Sequence, residues 1–497
     1  MRGYLKIVTI ASNEQQKHLS EIDKRYIWHP FTQMKEWLDE EPIIISEGRD
    51  CFVRDVSGNW YLDGVSSLWV NIHGHRRKEI NDAIKEQLDS IAHSTMLGLS
   101  NVPAIRLAER LVYTVNHCLV GGQQPPPFST ARHAGTIERP GEISEGDRGT
   151  SEHKLTKVFY SDNGSTAVEV ALKMAYQYWV HKKVEGKTSF LSLQNAYHGD
   201  TVGAVSVGGI DIFRKAFEPL LFHTNTAPSP YCYRCKFAAP YPECSLRCLK
   251  AMEDILEQNA EQIAAVIIEP IVQAAGGMIV APHGYLTGVR ELCTRYGVLL
   301  IADEVATGFG RTGRMFACGH ESVMPDIICL SKGITGGYLP LAATIATDEI
   351  YHAFFGAYED LKTFFHGHSY TGNPLGCAAA LASLDIFERE NTLEGLRPKI
   401  AMLEAFMKSV GELDHVGDTR IKGMMAGIEL VKDTSTKEPY PWEEQMGWRV
   451  ARFAMANGVF IRPLGNVVVI MPPLSISCEN LEQFTRVVRA GIMSATG

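Results

Sequence analysis

The chain has 497 residues and a formal net charge of −9, and 45% of its residues are hydrophobic while 21% are charged. This is the composition of an ordinary globular protein that is long enough to bury a large core. The sequence has no basic stripe of the kind that binds nucleic acids. It also has no apolar run of the roughly 20 residues that a membrane-spanning helix needs. We therefore expect neither a nucleic acid nor a membrane partner.

The N-terminus and the cysteines favour a cytoplasmic protein. The first apolar stretch is short, contains Lys6 and lacks a clear cleavage site, so it does not match a secretory signal. An organelle-targeting segment is the alternative, because no acidic residue precedes Glu14, but a frayed N-terminal extension is the simpler prediction. The 11 cysteines are scattered over a long chain, which is typical of reduced thiols.

Predicted strands and helices alternate along most of the chain. Buried strands that alternate with helices indicate a mainly parallel sheet with helices on both faces. In chain order, the predicted elements are strands at 42–46, 51–55 and 157–161, a helix at 166–180, a strand at 264–269, a helix at 284–296, strands at 298–303 and 326–330, an apolar run at 423–431, a helix at 442–457, and apolar runs at 458–461 and 467–471.

These elements predict an α/β protein with two domains. The large domain covers 76–386, and the segments 1–75 and 387–497 form a smaller α+β domain to which both termini contribute. Residues 121–153 are rich in Gly, Pro, Ser and charged residues and poor in apolar ones. Such a segment cannot bury enough surface to offset its ordering entropy, so we predict a mobile surface insertion within the large domain.

A carboxylate and a lysine follow two consecutive predicted strands. Asp303 ends the buried run VLLIAD, at the edge where open α/β sheets bind ligands. A protonated pyridine nitrogen would compensate its burial, although Asp303 alone is better explained by a helix cap or an ion pair with Arg311 or Arg314. Lys332 follows the next strand among small and apolar neighbours, where desolvation favours the neutral amine that imine formation requires. Most lysines are simply solvated, so the pair is much more specific than either residue.

Two further segments predict parts of a phosphate and ring site. In SDNGSTAVEVALK (161–173), Gly164 and Ser165 join a strand to a helix, and the free backbone N–H groups of a helix start attract phosphate. An ordinary helix start capped by Asn163 or Ser165 is the alternative. In NAYHGD (195–200), Tyr197 can stack on a cofactor ring, or it can simply pack in the core.

Taken together, these residues resemble the class III aminotransferases of the pyridoxal phosphate (PLP) fold-type I superfamily. The resemblance extends from about residue 26 to the C-terminus, apart from 121–153, and some of its segments are similar to the biotin-pathway branch of the family. The segments that carry it are WHPFTQM (28–34), DGVSSLWVNIHGH (63–75), YHGDT (197–201), EPIVQAAGGM (269–278), DEVATGFGRTG (303–313), KGITGG (332–337), HGHSYTGNPLGCAAA (366–380) and IRPLGN (461–466).

The resemblance implies a set of cofactor-binding residues. Lys332 would carry PLP as a Schiff base and move the proton, and Asp303 would pair with the pyridine nitrogen. Gly164 and Ser165 would hold the phosphate, and Tyr197 would stack on the ring. Both Lys332 and Tyr197 would also contact the substrate.

It also implies substrate-binding residues and a homodimer. Ser369 would bind the phosphate held mainly by the partner subunit, and Gly367 would lie at the keto-substrate site. Arg462 would bind the substrate carboxylate with its two-donor fork, and Trp69 would form an apolar wall. Considered alone, Arg462 is more simply a solvated cation and Trp69 a core residue.

The implied reaction, part of biotin biosynthesis, transfers an amino group from S-adenosylmethionine to 8-amino-7-oxononanoate and gives 7,8-diaminononanoate. Three residues of the implied donor pocket depart from the family pattern, because Phe31, Leu68 and Leu464 stand where relatives often have Tyr, Trp and Phe. L-lysine is therefore the alternative donor. Another class III ω-aminotransferase activity, on ornithine or 4-aminobutyrate, or a decarboxylase of the same fold, is the alternative function.

The remaining motif is a group of four cysteines. Cys232, Cys235, Cys244 and Cys248 form the pattern Cys-x2-Cys-x8-Cys-x3-Cys. This spacing could hold a structural zinc far from the catalytic site, but four reduced thiols in a surface loop are the simpler interpretation. We predict no metal in the active site. The intact set of Lys332, Asp303 and Tyr197 argues against a further alternative, an interaction protein that is stapled by zinc and has lost catalysis.

Overall fold

The computed structural model describes residues 2–122, 154–237 and 241–497, with side chains from Glu14 onward. The predicted insertion at 121–153 lies, from residue 123, outside the described residues. No helix within these ranges is long and apolar enough to cross a membrane.

The described ranges contain strands and α-helices that alternate through the middle of the chain, joined by loops and short 3-10 turns. The strands are β1 (Ile45–Arg49), β2 (Phe52–Asp55), β3 (Trp60–Asp63), β4 (Leu155–Ser161), β5 (Ser189–Leu193), β6 (Thr224–Ala227), β7 (Ile263–Ile268), β8 (Val272–Gln273), β9 (Ile279–Val280), β10 (Leu299–Asp303), β11 (Ile327–Leu330), β12 (Ala342–Thr347), β13 (Val416–Lys422), β14 (Met425–Asp433), β15 (Glu438–Pro439), β16 (Val459–Phe460) and β17 (Val467–Ile470). The helices are α1 (Arg2–Tyr26), α2 (Met34–Asp39), α3 (Ser66–Trp69), α4 (Lys78–Ser90), α5 (Val102–Leu119), α6 (Gly164–His181), α7 (Val202–Ser206), α8 (Asp211–Arg214), α9 (Arg247–Asn259), α10 (Tyr285–Tyr296), α11 (Asp348–Ala353), α12 (Pro374–Arg389), α13 (Arg397–Val410), α14 (Met446–Ala456) and α15 (Cys478–Thr496).

A sheet of seven strands forms the centre of the fold. Its strand order is β4-β12-β11-β10-β7-β5-β6. Neighbouring strands are parallel except where β12 pairs with β11 and β4, to which it is antiparallel. The prediction of an α/β fold with a mainly parallel sheet is confirmed.

Both faces of this sheet are covered, which explains why its strands are continuous apolar runs rather than alternating ones. All residues of β7 and β10 are buried. In β10, Leu299 and Ile301 join the apolar cluster that contains one face of α6, while Leu300 and Ala302 join the main core. Strands of this kind end at a common edge, where polar side chains can be presented to a ligand.

Both ends of the chain contribute to a second, smaller sheet. Its order is β1-β2-β3-β16, so that C-terminal β16 pairs with N-terminal β3 in parallel. A third sheet consists of β13, β14 and β15, with β17 paired to β14. The domain limits 1–75, 76–386 and 387–497 stay predictions.

The N-terminal segment differs from the frayed extension that we predict, because residues 2–26 form helix α1. The end of this helix is tied to the chain that follows. The carboxylate of Asp23 accepts a hydrogen bond from Trp37 Nε1 at 2.9 Å and lies 3.0 Å from His29 Nε2. Farther back, Gln16 Nε2 donates to the Pro42 carbonyl at 2.7 Å. The next strand also begins later than predicted, at Ile45.

Candidate active site

A cavity of about 520 Å³ opens at the carboxyl edge of the central sheet. Its volume is typical of sites for small molecules and cofactors. Gly367, Ser369 and Arg462 are not part of its lining. The predicted site residues that do line it are Trp69, Gly164, Ser165, Tyr197, Asp303 and Lys332.

Asp303 is buried at the end of β10 and is held by fixed neighbours. Its Oδ2 lies 2.7 Å from Nδ1 of the buried His198, and its Oδ1 accepts a hydrogen bond from the Val305 N–H at 3.0 Å. Arg311 and Arg314, the alternative partners, donate instead to backbone carbonyls. The carboxylate is therefore oriented into the cavity by His198, without neutralisation by an arginine.

Lys332 begins a 3-10 turn just after β11, with a φ of +44°. This backbone region is strained for a residue with a side chain, and such strain is concentrated at functional sites. Its Nζ lies 5.5 Å from the centre of the Trp69 ring. Burial lowers the pKa of Lys332, and the carboxylates of Asp303 and Glu269 oppose this effect only in part. The lowered pKa favours the neutral, nucleophilic amine.

Helix α6 directs its N-terminus at the same cavity. Asn163 caps the helix, since its Oδ1 accepts a hydrogen bond from the Thr166 N–H at 3.1 Å. The first intrahelical bond runs from the Ala167 N–H to the Asn163 carbonyl. The N–H groups of Gly164 and Ser165 precede it and have no acceptor within the helix. The capped-helix alternative is thus correct, and it leaves the predicted anion donors free.

Two glycines allow close approach of the chain segments around these donors. A Cβ on Gly164 would lie 2.6 Å from Cγ1 of Val305, and a Cβ on Gly199 would lie 2.1 Å from Oγ of Ser165. Gly199 also has a φ of +128°, which disfavours other residues. Ser165 Oγ accepts a hydrogen bond from the Asp200 N–H at 3.1 Å. The segments therefore form a tight backbone corner at the helix start.

Tyr197 is fixed at both its backbone and its hydroxyl. Its N–H donates to Glu269 Oε2 at 3.0 Å, and its hydroxyl donates to Asp200 Oδ2 at 2.8 Å. The other oxygen of Glu269 accepts the Ala274 N–H at 2.9 Å. Burial raises the pKa of Tyr197, and the hydrogen bond to Asp200 raises it further. The ring therefore lines the cavity as a neutral phenol.

Glu269 gives the protein a specific pH dependence. Burial raises its pKa from 4.5 to about 7; the charge of His198 lowers it and that of Asp303 raises it. The folded protein thus holds this proton more tightly than the unfolded chain, so the unfolding free energy of the cofactor-free protein should fall as pH rises from 4.5 to about 7.

The Glu269→Gln variant lacks this titrating proton. Its unfolding free energy should therefore vary less between pH 4.5 and about 7, and the difference from the unmodified protein should reach up to roughly 3 kcal/mol. Denaturant unfolding at a series of pH values measures the difference. Glu185→Gln, at an exposed position, is the matched control. Equal slopes for Glu269→Gln and the unmodified protein would contradict the prediction.

The wall that contains Trp69 is a left-handed turn, since Ser66, Ser67, Leu68 and Trp69 have φ values of 52°, 48°, 68° and 71°. Such a turn is costly for residues with side chains. Asp63 stabilises it by accepting hydrogen bonds from the N–H and the hydroxyl of Ser67, at 2.8 and 2.7 Å. Trp69 is buried, while Leu68 is 51% exposed and also lines the cavity.

Gly367, Ser369 and Arg462 lie outside the lining of the cavity. Gly367 and Ser369 are exposed. Arg462 is half-buried, and its Nη2 donates to the Phe31 carbonyl at 3.3 Å. Desolvation lowers its pKa, and among the described residues no neighbouring carboxylate offsets this burial. Its predicted role as a carboxylate ligand stays a prediction, as do the roles of Gly367 and Ser369.

The chemistry of the cavity fits PLP. It offers free backbone donors for a phosphate, a buried carboxylate for a protonated ring nitrogen, and an amine of lowered pKa for a covalent link. The Nε2 atom of His198 is also buried and has no hydrogen-bond partner in the described ranges. Asp303 would hold the nitrogen, Gly164 and Ser165 the phosphate, and Lys332 the reactive carbon.

Two residues of the site were missed by the sequence analysis, namely His198 and Glu269. Both stand in segments that carry the family resemblance, YHGDT and EPIVQAAGGM. Glu269 also ends a predicted buried strand, 264–269, as Asp303 ends another, and that position was the available signal. The contact between His198 and Asp303 joins distant parts of the sequence, so no local pattern indicated it.

The four cysteines lie in the loop after β6 and at the start of α9. They are free thiols, of which Cys232 is exposed, Cys235 is half-buried, and Cys244 and Cys248 are buried. Burial raises the pKa of Cys248 to about 11. Within the described parts of the chain, no group of three or more His, Cys, Asp or Glu side chains is arranged to hold a metal ion. The zinc alternative stays a prediction.

Comparison with known sequences gives matches over almost the whole chain. The family model described as aminotransferase class-III matches residues 34–491. The adenosylmethionine-8-amino-7-oxononanoate aminotransferase of Geobacter sulfurreducens is 53% identical over 480 residues, which cover 96% of this chain and 98% of the relative. The protein of that name from Methanocaldococcus jannaschii is 47% identical, with 94% and 95% covered.

Solved structures agree with these matches. The crystal structure of adenosylmethionine-8-amino-7-oxononanoate aminotransferase from Methanocaldococcus jannaschii has a TM-score of 0.85 at 45% identity and covers 96% of this chain and 99% of that one. An amine transaminase from an uncultivated Pseudomonas species, in its PLP-bound form, has a TM-score of 0.84 at 34% identity, with 95% and 99% covered. The chain therefore belongs to the class III aminotransferases and is a PLP-dependent transaminase.

Proposed function

We propose that this transaminase transfers an amino group from S-adenosylmethionine to 8-amino-7-oxononanoate, giving 7,8-diaminononanoate for biotin biosynthesis. The observation that carries the proposal is the convergence of Lys332, Asp303 and Trp69 on one cavity. The names of relatives that are 43% to 53% identical specify this donor and acceptor. An apolar wall at Trp69 and Leu68 suits an acceptor with a long methylene chain.

The residues of the cavity divide the work of the reaction. When bound, PLP supplies an electron sink for the negative charge that develops at the amine-bearing carbon. Lys332 Nζ would hold the cofactor covalently and, once free, would take and return the proton at the amine-bearing carbon. Asp303 would keep the ring nitrogen protonated, and His198 holds Asp303 in place. Since both substrates use one site, we expect ping-pong kinetics.

Arg462 is the residue we assign to the substrate carboxylate. It is half-buried without a described carboxylate to offset its charge, so an incoming carboxylate would gain two charge-assisted hydrogen bonds. The guanidinium also lies 5.6 Å from the Trp448 ring centre, which limits its movement.

We further propose that the enzyme is a cytoplasmic homodimer and that Ser369 completes the phosphate site of the partner subunit. Ser369 is exposed and lies outside the cavity of its own subunit. Large apolar side chains are exposed nearby in the sequence, including Phe365 at 70% and Tyr370 at 62%. Exposed apolar clusters of this kind are typical of subunit interfaces.

The proposed function predicts product from one defined pair of substrates. The PLP-loaded enzyme is supplied with 8-amino-7-oxononanoate and either S-adenosylmethionine or L-lysine, and 7,8-diaminononanoate is measured. We expect product with S-adenosylmethionine and a much lower rate with L-lysine. Product with L-lysine alone would reassign the donor. If neither donor gives product while the bound cofactor reacts with ornithine or 4-aminobutyrate, 8-amino-7-oxononanoate is not the acceptor of this enzyme.

A further inference from the structure

Three aromatic rings in contact connect the cavity to the N-terminal segment. The Phe213 ring packs edge-to-face on Tyr197, with centroids 5.8 Å apart and an interplanar angle of 73°. Phe31 also packs on Phe213, with centroids 5.4 Å apart and an angle of 70°. We call Phe31, Phe213 and Tyr197 the aromatic strip. Its inner ring lines the cavity and its outer ring is 57% exposed.

The inner two rings of the strip are held as one unit. Phe213 lies on α8, which follows the segment around Gly209. The Gly209 N–H donates to the Ala196 carbonyl at 2.7 Å, and the Asn195 N–H donates to the Gly209 carbonyl at 3.0 Å. These bonds tie the segment that leads to Phe213 to the segment that carries Tyr197. The position of Phe213 is therefore set by the same loop as the cavity.

The outer ring belongs to a different part of the chain. Phe31 lies between α1 and α2, with a φ of +51° that is strained for a residue with a side chain. Its carbonyl accepts the hydrogen bond from Arg462 at 3.3 Å. Phe213 is thus the fixed surface against which Phe31 packs, next to the arginine assigned to a substrate carboxylate.

We propose that Phe213 is a specificity-determining positioning residue for the amino donor, because it packs on both Phe31 and Tyr197 and thereby fixes Phe31 relative to the ring that lines the cavity. This inference rests on the proposed function. The strip would provide the apolar wall for the large, non-reacting part of S-adenosylmethionine, which L-lysine lacks. Aromatic faces would also attract the cationic group of such a donor.

The test compares Phe213 variants in the PLP-loaded enzyme. Phe213→Ala should raise the KM for S-adenosylmethionine about three- to tenfold, as expected for the loss of aromatic packing, and should leave the KM for 8-amino-7-oxononanoate unchanged. The ratio of kcat/KM between S-adenosylmethionine and L-lysine should fall. Phe213→Tyr should restore the original values, and Phe213→Leu should be intermediate. Phe217→Ala, at an exposed ring outside the strip, is the matched control.

A second readout does not depend on turnover. Hydrogen exchange of residues 27–33 should become faster in Phe213→Ala but not in Phe217→Ala, because Phe31 loses its packing surface. Unchanged exchange together with an unchanged donor KM would overturn the proposal, as would equal increases in both substrates' KM values. If the unmodified enzyme rejects S-adenosylmethionine, the proposed donor is wrong, and the same comparison is made with L-lysine and acyclic amines. If the aromatic strip positions the true donor, Phe213→Ala should still raise the KM for that donor and leave the KM for the acceptor unchanged.

Discussion

Replacing Lys332 with alanine should abolish transamination, with a loss of about 10⁴-fold or more in kcat. Among the described residues that line the cavity, Lys332 is the only lysine. Among these described lining residues, no other side chain supplies an amine that could form the covalent link or move the proton at the substrate carbon. Its burial and lowered pKa are what make it competent for both tasks.

The measurement combines a single-turnover assay with the visible absorbance of the bound cofactor. Lys332→Ala should retain its fold by circular dichroism but lose both the covalent link and turnover. Lys187→Ala is a stringent control, because burial also lowers the pKa of Lys187, to about 8, yet its Nζ donates to the Gly297 carbonyl away from the cavity. Unchanged cofactor-dependent turnover in Lys332→Ala would rule out the assigned role.

The second large effect is expected at Asp303. Asp303→Asn keeps the shape of the side chain but removes the negative charge that would hold the ring nitrogen in its protonated form. Loss of one partner from a buried ion pair costs about 3–5 kcal/mol, and each 1.36 kcal/mol is a factor of ten in rate. We therefore expect kcat/KM to fall by roughly 10²- to 10⁴-fold.

A buried aspartate outside the cavity separates this effect from a loss of stability. Asp326 accepts hydrogen bonds from Arg290 Nη1 at 2.7 Å and from the Leu300 N–H at 2.6 Å. Asp326→Asn should lower the melting temperature but leave kcat/KM of the folded enzyme nearly unchanged. Asp303→Asn should show the reverse pattern. If both variants lose activity only in proportion to their unfolded fraction, Asp303 has a structural role alone.

Much of the fold could be predicted because the buried strands are long apolar runs. The strand that ends at Asp303 and the short strand before Lys332 lie within one residue of their predicted limits. Their side chains converge because parallel neighbours end at one edge of the sheet. The free helix start at Gly164 could be predicted for the same reason, since the strand before it ends at that edge.

Other features had no local pattern. The strand Thr224–Ala227 is short and mostly polar, so its place at the sheet edge comes from pairing with β5 rather than from its own composition. The left-handed turn at Trp69 depends on Asp63, and its strained backbone is not encoded by residue type. Phe213 belongs to no sequence motif, and only its contacts with the rings of Phe31 and Tyr197 indicate a role. These features depend on tertiary contacts, which overrule local preference.

The turn that carries Trp69 is stabilised by a part of the chain that is synthesised long after it. Ser66 Oγ donates to the carbonyl of Met471, 405 residues later, and β3 pairs with β16. Contacts between such distant residues form late in folding, because the entropy of closing a long loop is lost before the contact can stabilise the fold. During synthesis, the strands that carry Asp303 and Lys332 leave the ribosome well before β16. The nascent chain would therefore bring its reactive groups together before the turn that carries Trp69 gains its contact with Met471.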